Sequence, residues 1–132
     1  MNRDIYNNTK AAIALAPVAL SSDTATAGII IDTAGYEAGK VVLMTGAVTA
    51  GDITITKIQE SDDSGMSGAT DISSTQYRGA IGTAVDSANT TAEVGFWRNK
   101  RYIQVTFTTD NSADLVAAAF VEFGVPEFAS TQ

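Results

Sequence analysis

The stretch Ile53-Thr54-Ile55-Thr56-Lys57-Ile58-Gln59-Glu60 decides the fold class, because apolar and polar residues alternate along it. A period of two is typical of an antiparallel strand with one buried face and one solvent face. The apolar set changes face at Ile58, which predicts a β-bulge near that residue. Val42–Val48 precedes the stretch across the turn signal Thr49–Asp52. We therefore predict that these two strands pair as a hairpin over residues 42–60.

The same alternation recurs in Tyr102–Thr108, so this segment is also predicted to be a half-buried strand. Three of its residues are expected to face the core: Ile103, Val105 and Phe107. Ala92–Trp97 lies before it, across the polar turn Arg98–Lys100. We predict a second hairpin over residues 92–109.

Three other apolar segments carry weaker signals. Ala11–Leu20 contains Pro17, which favours an edge strand or a bulge over a helix. Thr24–Ile31 ends in three consecutive isoleucines, as a strand buried on both faces would. Leu115–Phe123 is ambiguous, because its alanine run and the following Gly124 also suit a helix. We interpret it as a strand and keep the helix as the alternative.

About eight short strands with turns between them predict an all-β fold, a compact antiparallel β-sandwich or jelly-roll-like barrel. The chain has 132 residues, which is the usual size of one domain. Residues 1–10 are polar and are expected to form a flexible N-terminal arm. Residues 11–132 are expected to form the single β-sandwich domain.

Composition lowers the expectation of catalysis. The chain has no His and no Cys, which removes the commonest general base and the commonest metal ligands. We expect no enzyme activity, no cofactor and no metal. A net charge of −7 disfavours nucleic-acid binding, since phosphate backbones repel an acidic chain. No secretory signal or membrane span is visible, so we expect synthesis in the host cytoplasm and no membrane partner.

The densest acidic cluster is Glu60, Asp62 and Asp63. A solvated loop in which Asp and Ser cap their own turn is the favoured interpretation. A calcium site that uses these carboxylates is the first alternative, although the spacing of an EF-hand is absent. A hydrolase with a carboxylate pair is a weaker alternative.

The segment Asp32-Thr33-Ala34-Gly35-Tyr36-Glu37 is interpreted as a structural turn. Asp32 is expected to accept backbone N–H bonds across the turn, and Gly35 to supply a positive φ. Tyr36 is expected to pack with its hydroxyl at the rim.

Three basic residues, Arg98, Lys100 and Arg101, lie between Trp97 and Tyr102. Aromatic residues interleaved with bases can bind single-stranded nucleic acid, but one such turn is thin support in an acidic chain. A protein interface is favoured, because Trp, Tyr and Arg are the usual anchors. A plain basic hairpin, with Arg101 paired to a carboxylate, remains open.

Four short stretches occur in a recognisable order with β-like segments between them: Ile31–Glu37, Glu60–Asp63, Lys100–Tyr102 and Gly124–Pro126. From Ile13 to Pro126 the chain resembles a family of small all-β capsid decoration, or cement, proteins of tailed bacteriophages. The turn Arg98–Lys100 departs from that family, because it is more basic than the Gly-containing turn expected there.

The resemblance implies a structural virion protein that binds the outer capsid surface and stabilises the head. Its implied partners are the major capsid protein and further copies of itself, with a trimer favoured. Five residues are candidates for the capsid or subunit interface: Arg3, Tyr6, Trp97, Arg98 and Lys100. Tyr6 is expected to anchor the arm, and Arg3 to pair with a capsid carboxylate. The alternative is a receptor- or carbohydrate-binding β module of a tail or fibre, although aromatic residues are only 8% of the chain.

Overall fold

Long antiparallel strands dominate the computed structural model, which describes residues 5–79 and 81–126. The all-β fold predicted from the sequence is confirmed. One short helix precedes nine strands in the described residues: α1 (Ile5–Asn8), β1 (Lys10–Leu20), β2 (Ala25–Ala27), β3 (Ile31–Asp32), β4 (Tyr36–Ser61), β5 (Thr70–Asp71), β6 (Tyr77–Gly79), β7 (Ala84–Val85), β8 (Thr91–Trp97) and β9 (Tyr102–Pro126).

Strands β4 and β9 form the frame of the molecule. They have 26 and 25 residues and pair along their length, from Tyr36 opposite Pro126 to Ser61 opposite Tyr102. A straight strand of this length would span about 86 Å, whereas a domain of this size has a radius of gyration of about 14 Å. The paired strands must therefore bend. They do so where the register shifts, at Gly51 with φ +75° and at Asn111 and Ser112 with φ +61° and +60°.

The bend divides the sheet into two half-sheets. In the first, residues 36–48 of β4 and 115–126 of β9 lie between β1 on one side and β8 and β6 on the other. In the second, residues 53–61 and 102–109 lie between β2 and β3 on one side and β5 and β7 on the other. Both halves contribute to one hydrophobic core, which is the arrangement of a β-sandwich. Its most buried members include Val41, Leu43, Ile53, Ile55, Val94, Val121 and Phe123.

Both predicted hairpins are wrong. Residues 42–60 do not fold back on one another, since both segments belong to β4 and pair with β9. Strand β8 does not pair with β9 either, because it lies between β4 and β6. The signal at Thr49–Asp52 marks a bend within a strand. Gly and Asp suit both a bend and a reversal, so local sequence does not separate them.

The inward facing of Ile103, Val105 and Phe107 is confirmed, at 0, 0 and 1% exposure. The predicted bulge is confirmed by a register shift between Ile55 and Lys57, after which Ile58 is buried.

Two further predictions about strands are confirmed. β1 is an edge strand, and its register shifts between Leu15 and Val18, around Pro17. Leu115–Phe123 is part of β9 and not a helix.

The prediction of a strand buried on both faces at Thr24–Ile31 is wrong. β2 ends at Ala27, and Ile29 and Ile30 are 49 and 37% exposed. Gly28 still donates its N–H to the Val105 carbonyl of β9, but Ile29 donates to the Ala14 carbonyl of β1, and of the three isoleucines only Ile31 is buried. No helix in the described ranges is long and apolar enough to cross a membrane.

The two long strands double back, so their four ends meet at one end of the sandwich. We call it the Glu60 end, and it comprises residues 32–37, 60–63, 97–102 and 124–126. The connections at the opposite end, residues 20–24, 46–52, 82–90 and 110–114, contain no Lys or Arg. They carry five aspartates, and we call this the aspartate end: Asp23, Asp52, Asp86, Asp110 and Asp114.

Candidate functional site

The four stretches that carry the family resemblance converge at the Glu60 end. Tyr36 lies opposite Pro126, and Tyr102 lies opposite both Ser61 and Asp32. A further link is made by the carboxylate of Glu60, which accepts hydrogen bonds from the backbone of the turn before Arg101. Segments far apart in sequence thus form one structural unit.

Glu60 is the buried centre of this end, with 4% exposure. Its Oε2 accepts the backbone N–H groups of Asn99 at 2.8 Å and Lys100 at 3.2 Å, and its Oε1 lies 3.5 Å from Nε2 of Gln76. The prediction of a solvated loop is therefore wrong for Glu60 and for Ser61, which is 1% exposed. The bulge before Ile58 turns Glu60 inward. The carboxylate of Glu60 thus fixes the turn that contains Asn99 and Lys100.

The rest of the acidic segment behaves as predicted. Asp62 and Asp63 are exposed, and Oδ2 of Asp63 accepts the N–H groups of Gly65 at 2.8 Å and Ser67 at 3.2 Å. This is the self-capping turn expected from the sequence. Within residues 5–79 and 81–126, no cluster of three or more acidic residues is arranged to hold a metal ion.

Backbone bonds fix the turn from Trp97 to Lys100. Gln76 makes two hydrogen bonds to the backbone of Trp97. The Gln76 carbonyl accepts the Trp97 N–H at 2.9 Å, and the Gln76 Nε2 donates to the Trp97 carbonyl at 3.1 Å. Arg98 donates its N–H to Glu37 O at 3.0 Å and its Nε–H to Tyr36 O at 2.6 Å. The side chain of Trp97 is still 41% exposed. The structure therefore presents Trp97 on a rigid backbone.

Asp32 and Arg101 form a two-pronged ion pair, with Nε and Nη2 at 2.9 and 2.8 Å from the two carboxylate oxygens. This bond, followed by the Ala34 N–H at 3.0 Å, lowers the pKa of Asp32 from 3.8 to about 2. The guanidinium also lies 5.2 Å from the centre of the Tyr102 ring. The interpretation of Arg101 as a cation paired to a carboxylate is confirmed. Its charge is offset by a neighbour, which weakens the case for nucleic-acid binding.

The bond to Asp32, the positive φ at Gly35 and the packing of the Tyr36 ring are confirmed, while the position of the Tyr36 hydroxyl stays a prediction. Asp32 accepts the Ala34 N–H, and Gly35 has φ +93°. Tyr36 is half-buried and stacks on Phe123 with 5.7 Å between ring centres.

The predicted interface residues that the structure describes also gather at the Glu60 end. Tyr6 on α1 is 88% exposed and shares a hollow of about 540 Å³ with Tyr36, whose carbonyl binds Arg98. Lys100 is partly exposed in the same turn. Arg3 lies outside the described residues. The structure thus brings together candidates from the start and the last third of the chain.

Two contributors to this surface could not be found from the sequence. Arg78 on β6 stacks over the Trp97 ring at 5.6 Å, because Tyr77 pairs with Phe96 and so places β6 beside β8. Gln76 reaches both Trp97 and Glu60. Neither residue lies in a motif, and only strand pairing places them near the turn. The switch of face at Ile58 was the one signal that could have indicated the buried Glu60.

No protein-family model matches the chain, and no curated protein does. Among solved structures, PBSX exported protein XepA matches with a TM-score of 0.55 and 21% identity, over 89% of this chain and 38% of XepA. SPBc2 prophage-derived protein YomS matches with a TM-score of 0.47 and 14% identity, over 87% of this chain and 91% of YomS. The chain thus spans well under half of XepA, and that likeness shows a shared fold.

Proposed function

We propose that this protein is a structural component of a tailed-phage virion that binds the outer capsid surface and stabilises the head. The observation that carries the proposal is the convergence at the Glu60 end. The four stretches in which the chain resembles capsid decoration proteins meet there, and so do the candidate contacts Tyr6, Trp97, Arg98 and Lys100.

The stabilisation is a mass-action effect. A protein that binds the assembled shell, and not its free subunits, lowers the free energy of the shell. Many copies bind one head, and copies that also bind each other gain avidity from the short distance between sites. The partner is the major capsid protein, and this role needs no catalysis, cofactor or metal.

Cations favour the Glu60 end as the surface that contacts the capsid, because each end has five carboxylates and only the Glu60 end also has Lys and Arg. Arg98, Lys100 and Arg101 lie there beside exposed Trp97, and Trp and Arg are frequent interface anchors. The aspartate end has five carboxylates and no Lys or Arg in its connections. Such an end suits the solvent side of the particle, and it would be repelled by packaged DNA.

The N-terminal arm is the second part of the proposed contact. Tyr6 is 88% exposed on α1, which leads into β1 at the Glu60 end. We assign Tyr6 the role of an anchor on the capsid, with Arg3 pairing to a capsid carboxylate. A trimer at three-fold positions gives every subunit the same contacts with the lattice.

A binding assay on undecorated heads tests this surface. We expect Lys100→Glu, Tyr6→Ala and removal of residues 2–8 each to weaken co-sedimentation about tenfold or more. The truncation stops before β1, so the fold should persist. Lys57→Glu, on the second half-sheet, makes the same charge change away from the Glu60 end and should bind as the wild type does. Equal binding by all four proteins would contradict the assignment of this surface.

A further inference from the structure

The outer face of the first half-sheet carries an exposed ring next to a hollow. Trp97 lies directly opposite Ala38, and directly opposite residues of neighbouring strands share a face of the sheet. Lys40 lies opposite Glu122 by the same rule. The hollow has a volume of about 250 Å³, and small residues form much of its lining: Ala38, Gly39, Lys40, Glu122 and Gly124. Trp97 does not line the hollow, but its cross-strand neighbour Ala38 does, so we place the indole, with Arg78 stacked 5.6 Å from its centre, beside the hollow on the same face.

The same face continues into an apolar patch. Phe120 lies opposite Ile13 and Val42, and Ile13 is 54% exposed. Val116, further along β9, is 41% exposed. Exposed apolar side chains gathered with Trp on one sheet face mark a surface that binds another protein.

This face carries both positive and negative side chains close together, whereas the chain as a whole has a net charge of −7. Lys40 forms an ion pair with Glu93 at 3.2 Å, and Glu122 stands on the other side of Lys40. A net charge of −7 makes two copies repel each other at most orientations. Two copies repel each other least when they meet through a face that has both positive and negative charges. There, a cation of one copy can lie against a carboxylate of the other.

We propose that this face binds a second copy of the chain about a two-fold axis. Trp97 of each subunit lies in the hollow of its mate, and Lys40 of each faces Glu122 of the other. A two-fold contact uses the same patch on both subunits, so it must contain both a projection and a matching hollow. The backbone of Trp97 is held on both sides by Gln76, so the ring is positioned before association.

This inference goes beyond the proposed function, because it rests on the isolated chain and requires no capsid. It is an alternative to the trimer proposed above, and because it places Trp97 between subunits, the capsid contact would then rest on Tyr6, Arg98 and Lys100. A closed three-fold ring joins two different surfaces of each subunit, whereas the contact proposed here joins one surface to itself. The mass of the free protein distinguishes the two.

The test is sedimentation equilibrium of the full chain over a series from about 1 to about 100 µM, which covers the Kd of a micromolar contact before and after a tenfold loss. We expect the wild type and Lys57→Glu to be dimers. For Trp97→Ala we expect the Kd of the dimer to rise at least tenfold, so that more of the protein is monomeric. The Lys40→Glu protein and the Glu122→Lys protein should each be monomeric. In either dimer, residue 40 of each subunit would face a like charge at residue 122 of the other, and this repulsion would occur twice. An equimolar mixture of these two variants should re-form a dimer, since each new charge meets its opposite.

The mixture separates a lost contact from a misfolded variant, and melting curves of each variant check the fold. A monomeric wild type would overturn the inference. So would a trimer that persists in all the variants, or a mixture that stays monomeric although both proteins are folded. This assay does not involve binding to phage heads. A failure of the dimer inference would therefore leave the proposed capsid binding untouched.

Discussion

The Oε2 atom of Glu60 accepts the backbone N–H of Asn99 at 2.8 Å, although the two residues are 39 positions apart. This bond joins the end of β4 to the turn between β8 and β9. Lys100 donates to the same oxygen at 3.2 Å. A buried carboxylate therefore fixes the turn that presents Trp97 and Lys100.

Glu60→Ala should destabilise the protein by about 2–4 kcal/mol, because two N–H groups lose their acceptor in a buried site. Glu60→Gln keeps one acceptor oxygen and should cost less. Urea unfolding of both variants measures the difference. The exposed neighbour gives the control, since Asp62→Ala should change stability by no more than about 0.5 kcal/mol. Similar losses for Glu60→Ala and Asp62→Ala would refute the buried role.

Phe107→Ala should cost about 3–5 kcal/mol, since the ring is 1% exposed and its removal leaves a cavity between the half-sheets. Ile29→Ala, at a residue with 49% exposure, should cost less than about 1 kcal/mol. Thermal or chemical denaturation gives both values. A Phe107→Ala protein as stable as the Ile29→Ala protein would contradict the placement of Phe107 in the core.

Gly51→Ala tests the bend that separates the half-sheets. A Cβ at Gly51 would lie 2.5 Å from both the Ala113 Cα and the Asp110 carbonyl oxygen, which are backbone atoms. Gly82→Ala is the matched control, because Gly82 also has a positive φ but has no atom within 4 Å of an added Cβ. Gly82→Ala should cost about 1 kcal/mol, and Gly51→Ala clearly more. Equal losses in melting temperature would count against a tight bend at Gly51.

Acid should remove the contribution of Asp32. The ion pair with Arg101 lowers the pKa of Asp32 to about 2 from 3.8. A lowered folded-state pKa stabilises the protein above the unfolded-state pKa and ceases to do so as the pH falls through the folded-state pKa. The excess in melting temperature of the wild type over Asp32→Asn should be constant above about pH 5, shrink as the pH falls from there, and vanish only below about pH 2. A pH-independent difference would show that the carboxylate charge contributes nothing.

Local patterns predicted the facing of residues but not the pairing of strands. The alternation at Ile53–Glu60 and its switch at Ile58 located a strand, its buried face and a bulge correctly. The hairpin over 92–109 failed because β8 pairs with β4 and β6, and the hairpin over 42–60 failed because Gly51 bends a strand where a reversal was expected. Only the partner strand separates these cases, and it bends in turn at Asn111, 60 residues further along.

The candidate surface could be predicted in the same partial way. Trp97 and its basic neighbours were visible as a cluster in the sequence, and the pairing of Arg101 with a carboxylate was an open alternative. The contact of Arg78 with Trp97 depends on the pairing of β6 with β8, which no local pattern encodes. Glu60 looked like part of a solvated acidic loop, because burial of a carboxylate depends on the N–H donors that distant residues bring to it.

The most direct test of the decoration role uses heads of the phage that carries this gene, prepared without the protein. Purified full-length protein is added in increasing amounts, and both co-sedimentation and the temperature of DNA release are followed. The decoration role predicts saturable binding at a fixed copy number per head and a higher release temperature at saturation. Protein that stays in the supernatant, with an unchanged release temperature, would contradict it.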